Sequence, residues 1–224
     1  MSTSERLQIA ILGGTGNVGR GLALRWAHAG HDVRVGSRSA EKAAQACSEL
    51  NAQLECDAVR SGSNREVAAA APIVVLSVPY AAQRATVEEV RDLLEGKILI
   101  DTTVPLVPPK VARVQLPNGG SAVAAIQELL GSAVKVVSAF QNVSAHLLLE
   151  LKHEVDCDVL VCGDDVAARE TVIGLIADIG LRGVHAGPIA NSAAAEALTS
   201  LLISINARYK VPGAGIRITG LQKP

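Results

Sequence analysis

Aromatic side chains are scarce in this chain: one Trp, one Phe and two Tyr in 224 residues. A surface that stacks nucleic-acid bases needs more of them. Neither sign of charge is in excess. The 21 Lys and Arg stand against 22 Asp and Glu, for a formal net charge of −1. That balance argues against a nucleic acid or an anionic membrane as partner. Cysteine is present at Cys47, Cys56, Cys157 and Cys162 but forms no C-x-x-C pair and no Cys–His cluster at zinc spacing. Reduced thiols in a cytosolic protein are expected. The histidines, at 28, 31, 146, 153 and 185, are scattered, so no metal site is expected. No apolar run approaches the roughly 20 residues of a membrane span, and Met1 to Arg6 lacks a signal-peptide apolar region. The expectation is a soluble, cytoplasmic protein. There is no internal repeat, low-complexity tract or charge run.

Apolar residues make up 49% of the chain. With so few aromatics, the core must be Val, Leu, Ile and Ala. The length leaves room for one large domain, or a domain with a small appendage.

The organising stretch is Ile9-Ala10-Ile11-Leu12-Gly13-Gly14-Thr15-Gly16-Asn17-Val18-Gly19. An apolar strand runs into Gly14, Gly16 and Gly19 at G-x-G-x-x-G spacing, and a helix-compatible segment follows. In that context the spacing reads as a dinucleotide-binding turn. Gly14 is expected to permit the tight turn, Gly16 to let a pyrophosphate approach the backbone, and Gly19 to let the helix pack on the strand. The free N–H groups at the helix start then face the phosphates.

The next strand, Asp32 to Val35, distinguishes the two nicotinamide dinucleotides. An NAD site usually carries Asp or Glu there, for the ribose 2′-hydroxyl. Here the strand ends in Gly36-Ser37-Arg38, and Lys42 follows a turn later. A hydroxyl, a guanidinium and an ammonium suit a 2′-phosphate, which a carboxylate would repel. NADP(H) is therefore expected.

Further along, strand and helix patterns alternate. Ile73 to Pro79 is a continuous apolar run, as in a parallel strand buried on both faces. Its carboxyl end, Ser77, Val78 and Pro79, should border the ribose and nicotinamide. A short third strand is expected around Cys56–Val59, followed by a Ser-Gly-Ser-Asn loop. Strands at Lys97–Asp101, Ala133–Ala139, Cys157–Cys162 and Gly183–Ala186 complete the pattern. Asp164 is the expected cap of a helix over 165–179. Asn191 is the expected cap of one over Ser192–Tyr209, which is apolar nearly all round and must be buried by its own domain or by another subunit. The fold class is α/β: a doubly wound, Rossmann-type, mainly parallel sheet with a small C-terminal α/β extension. Residues 1–150 read as the NADP-binding domain. Residues 151–224 read as a small substrate and dimerisation part, whose Gly- and Ile-rich tail could dock on the nucleotide domain.

These residues, with Val161-Cys162-Gly163-Asp164-Asp165, Ala186-Gly187-Pro188, Glu196 and Gly213-Ala214-Gly215-Ile216, make the chain similar to the NADPH-dependent F420 reductases. The resemblance covers nearly the whole chain. It implies a homodimer, joined through the C-terminal helix, with NADP in the glycine-turn site and the deazaflavin F420 in a cleft beside it. It places Thr15, Gly16, Asn17 and Val18 on NADP, Ser37, Arg38 and Lys42 on its 2′-phosphate, and Val78 and Ala145 near its nicotinamide half. Gln141, Val143 and Thr199 would border F420. Two positions depart from the familiar members: Gln141 replaces a His and Ala197 a Ser.

The implied reaction is reversible hydride transfer, which needs no strong general base. Accordingly no catalytic side chain is assigned. Tyr80 and Tyr209 form no Tyr-x-x-x-Lys pair, and Lys210 and His146 read as a helix cap and a helix-face residue. The alternatives are an NADP-dependent reductase of a flavin, a ferric complex or an imine, and a non-catalytic NADPH sensor.

Overall fold

The computed structural model describes residues 6–221 and bears out the alternation of strands and helices. The strands are β1 (Gln8–Leu12), β2 (Asp32–Ser37), β3 (Val59–Ser63), β4 (Ile73–Leu76), β5 (Ile98–Asp101), β6 (Lys135–Ser138), β7 (Asp158–Gly163) and β8 (Arg182–Gly187). The helices are α1 (Asn17–His28), α2 (Ala40–Leu54), α3 (Asn64–Ala70), α4 (Tyr80–Val90), α5 (Ala122–Leu130), α6 (Ala145–Leu148), α7 (Val166–Asp178) and α8 (Ser192–Tyr209).

All eight strands form one sheet, in the order β3-β2-β1-β4-β5-β6-β7-β8. The chain winds outward from β1 to β3, then returns to lay β4 on the other side of β1, with Ile9 opposite Ile73. Successive residues of a strand face opposite sides of a sheet. Ile9 and Ile11 of β1 therefore join one core, with Leu22 and Trp26 of α1. Ala10 and Leu12 join the other, with Val87 and Val90 of α4. Two covered faces explain why the β1 and β4 sequences are apolar without alternation.

Four strands, β1 to β4, run parallel with β5 and β6, but β7 pairs with β6 antiparallel, Ser138 opposite Cys162. This reversal has a functional consequence. A parallel crossover would carry the chain away from the carboxyl end of β6. Here residues 139–157 stay at that end. After β8, α8 climbs back to the same place. Residues 151–221 thus supply β7, α7, β8 and α8 to the same sheet as the nucleotide-binding part.

Some local expectations are corrected. The third strand begins at Val59 and includes Ser61, Gly62 and Ser63, which were expected in a loop. Pairing with β2 overrides their weak strand preference, and a polar edge strand resists pairing with other chains. The cap of α7 is Asp165, whose carboxylate accepts from Ala168 N. Asp164 instead accepts from Ile189 N at 2.9 Å. Asn191 does not cap α8 with its side chain, which donates to Ala186 O at 2.6 Å.

Two polar clusters tie distant elements together. The buried Arg25 of α1 donates to the carbonyls of Leu147, Leu148, Glu150 and His153 at 2.8–3.1 Å. At the start of β7, the fully buried Asp158 accepts from Arg182 and Arg217 and from Ile218 N. The Arg182 guanidinium leads the causes that hold the Asp158 carboxyl down at about 2.

Candidate active site

The strand order reverses between β1 and β4, so a crevice opens beyond their carboxyl ends. Ligands of open α/β sheets bind at such a switch point. Its floor is the glycine turn. The left-handed residue there is Gly13, at φ +68, rather than Gly14. A Cβ on Gly13 would collide with Val78 Cγ1 and stand 2.7 Å from Ser77 O. Gly14 and Gly19 serve close packing: a Cβ on Gly19 would lie 2.7 Å from Gly14 Cα. At Gly16, by contrast, the Cβ position meets only Gly13 O, at 3.7 Å. The backbone there faces open space, which fits a pyrophosphate. Gly16 also starts α1 without a side-chain cap, so the first-turn amides are not taken by one. Such a helix start attracts phosphate.

From this turn a cavity of about 560 Å³ extends to the tip of β2, walled by Thr15, Gly16, Ser37, Arg38, Lys42 and Asn64. Ser37 Oγ accepts from Ser39 N at 3.2 Å, which leaves its proton free to donate outward. Arg38 and Lys42 are exposed, and neither has a salt-bridge partner among the described residues. Two free cations and a hydroxyl at the tip of β2 fit a 2′-phosphate.

Two further cavities continue the crevice. One, of about 570 Å³, shares Gly16, Ser77, Val78 and Pro79 with the first and adds Asn17, Tyr80 and the 102–111 loop. The other, of about 370 Å³, shares Val18, Thr102, Val104 and Leu106 with the second. It is closed by residues 140–146, by Thr199, Leu202, Ile203 and Asn206 of α8, and by Pro212 and Ala214. Among the described residues no carboxylate lines any of the three.

The wall formed by residues 140–146 is fastened by identifiable contacts. Phe140 adopts φ +72, an uncommon conformation for a residue with a Cβ. Its ring is held edge-on against Trp26, with centroids 5.8 Å apart. Gln141 is buried and turned into the protein. Its Nε2 donates to Asp101 O at 2.7 Å and its Oε1 accepts from Ser138 Oγ at 3.3 Å. Thr199 Oγ1 donates to Gln141 O at 2.7 Å, which docks α8 on the ends of β5 and β6.

Two buried carboxylates lie behind the crevice. Asp101 accepts from Gln83 Nε2 and Thr103 N, at 2.7 and 2.8 Å. Glu196 reaches from α8 to the start of α5, where it accepts from Ser121 Oγ, Ala122 N and Val123 N. Burial pushes both carboxyls up, against the opposing pull of these hydrogen bonds. Both are structural ties with their oxygens engaged.

The expected residues fall into three groups. Thr15, Gly16, Ser37, Arg38 and Lys42 line the first cavity, with Ser77, Val78 and Pro79 shared between it and the second. Asn17 and Val18 join the second. Gln141, Val143, Ala145 and Thr199 line the third. Gly14 and Gly19 shape the turn without lining any of these three cavities. The sequence reading missed Gly13, Asn64, Asn206, Pro212 and Ala214. Thr102 and Leu106 stand in the loop directly after β5.

A Rossmann-type sheet, a glycine turn and a basic, carboxylate-free crevice define an NADP-linked oxidoreductase. A family described as "NADP oxidoreductase coenzyme F420-dependent" matches residues 8–105. The chain is 42% identical over 222 residues to the F420-dependent NADP reductase of Methanothermobacter thermautotrophicus, covering 96% of each. With that of Methanocaldococcus jannaschii it shares 40% identity, over 96% of this chain and all of the relative. A crystal structure from Arthrobacter sp. FB24, provisionally assigned as an F420-dependent NADP-reductase, superposes with a TM-score of 0.80 at 30% identity, covering 95% of this chain and 99% of that one. The chain belongs to the F420-dependent NADP reductase family.

Proposed function

We infer that the protein is an NADPH-dependent F420 reductase, transferring a hydride reversibly between NADP(H) and the deazaflavin coenzyme F420. The observation that carries this is one continuous crevice, basic at one end and carboxylate-free along three cavities. The hydride passes between the nicotinamide and deazaflavin rings, so the chemistry belongs to the two bound molecules. The side chains position the two rings and exclude water. In this reading Thr15, Gly16, Asn17 and Val18 hold the pyrophosphate. Ser37, Arg38 and Lys42 hold the 2′-phosphate, and Ser77, Val78 and Pro79 face the nicotinamide end. Val143, Thr199 and Ala145 border the acceptor, and Gln141 acts by fixing that wall. Residues 1–150 hold NADP and lend Gln141, Val143 and Ala145 to the acceptor site, and the remainder completes that site with Thr199 and serves dimerisation.

Absorbance with purified protein, NADPH and oxidised F420 tests the reaction, with FMN as control. The oxidised F420 band should disappear and FMN should stay oxidised. NADPH binding without loss of the F420 band would sink the reading and leave another acceptor or a sensor.

We further propose a homodimer through α8. The helix is not buried all round. Ala194, Leu198, Leu201, Ile205 and Tyr209 recur at helical spacing on one side. Leu201, Ile205 and Tyr209 are 48%, 40% and 72% exposed. A second copy is the occupant that needs no other gene product, and a twofold contact suits a self-complementary stripe. Light scattering should give twice the 23.1 kDa chain mass, and Leu201→Glu should return the monomer. A monomeric parent protein would remove the proposal. We propose a reducing, cytoplasmic compartment, a reading that the four unpaired cysteines support. Among the described residues no helix is long and apolar enough to cross a membrane.

A further inference from the structure

Beyond α8 the chain does not trail away. Lys210 leaves the helix in the left-handed conformation, at φ +56. The following residues run back over the 144–147 segment and the start of β7. Contact is too close for a side chain at two points. A Cβ on Gly213 would lie 2.7 Å from Leu147 Cδ1 and 2.8 Å from Ser144 Cβ. One on Gly215 would lie 2.8 Å from Cys157 Cβ.

Hydrogen bonds fasten the segment at both ends. Ala214 N donates to Asn206 Oδ1 at 2.7 Å. Asp158 N donates to Ile216 O at 2.8 Å, and Ile218 N donates to Asp158 Oδ2 at 2.6 Å. Arg217 pairs with Asp156 and Asp158. Within this segment Pro212 and Ala214 face the third cavity, the one that also holds Val143 and Thr199. Neither residue lines the cavities at the glycine turn or the β2 tip.

We propose that residues 211–218 form a latched wall of the acceptor site, which sets how tightly the acceptor ring is held and takes no part in NADPH binding. The inference rests on the F420 reading above. Its physical basis is distance. Hydride transfer needs reacting atoms about 3–3.5 Å apart, so a wall that can drift leaves the acceptor poorly placed. The two glycines let the segment seat without a gap, and the buried Asp158 keeps it seated.

Two variants test this. One chain ends at Lys210. The other is full-length with Ala214→Phe, which keeps every backbone bond of the latch and fills the cavity. Each is compared with the parent for the KM of F420, for kcat and for the Kd of NADPH. In both, the F420 KM should rise at least tenfold, while the NADPH Kd stays within twofold. If the shortened chain does not fold by circular dichroism, the Ala214→Phe protein decides alone. An unchanged F420 KM in that folded variant overturns the wall. Equal losses of F420 and NADPH binding also overturn it. A parent protein that cannot reduce F420 at all is a different result, and it removes the acceptor reading itself.

Discussion

Replacing Arg38 with alanine should weaken NADPH binding by about ten- to a hundredfold and leave NADH binding nearly unchanged. A hydrogen bond to a charged group contributes roughly 1.5–3 kcal/mol, and each 1.4 kcal/mol is tenfold in affinity. Arg38 suits this role because its fork can engage a phosphate through two donors, whereas Lys42 supplies a point charge. In the same proposal Ser37 would add a neutral donor, its orientation set by the Ser39 amide. The selectivity should also shrink with added salt, because Arg38 and Lys42 are exposed. Titration with the two dinucleotides, followed by nicotinamide fluorescence, measures both effects. An equal loss of NADPH and NADH affinity would falsify the assignment of Arg38 to the 2′-phosphate.

That assignment was legible in the sequence because it depends on neighbours along the chain. The same holds for β1, the glycine turn and α1, where an apolar run, a glycine spacing and a helix start lie within 20 residues of one another. The acceptor half was less legible. Gln141, Thr199 and Ala214 are far apart in sequence, and only the antiparallel entry of β7 keeps them at one end of the sheet. Strand direction has no signature in the residues of β7 itself. It follows from the 139–157 connection, which carries only the four-residue α6. Gln141 shows a second limit. The family resemblance put it beside the acceptor but could not tell that its amide would turn inward to Asp101 and Ser138. Ser61 to Ser63 show a third. They form a strand because β2 offers an unpaired edge, and no local preference announces it.

The same connection makes Arg25 a side chain whose loss should destabilise the fold strongly. Arg25→Ala should cost about 3–4 kcal/mol. Four carbonyls at the end of α6 and just beyond it depend on this one guanidinium. A hydrogen bond to a charged group contributes roughly 1.5–3 kcal/mol, but the outer carbonyls can rehydrate, so the sum is not realised in full. Burial lowers the Arg25 pKa, which marks the desolvation that these bonds offset. For a chain of this size each kcal/mol shifts Tm by about 2–4 °C, so the variant should melt roughly 6–16 °C earlier. Arg25→Met separates the causes. Methionine restores most of the buried volume and none of the donors, so it should recover little. If it recovers most of the stability, packing of the Arg25 stem carries the effect instead. Lysine should also fail, since one ammonium cannot span four carbonyls. Because Ser144, Ala145 and His146 line the third cavity, folded Arg25→Lys protein should lose F420 affinity before NADPH affinity.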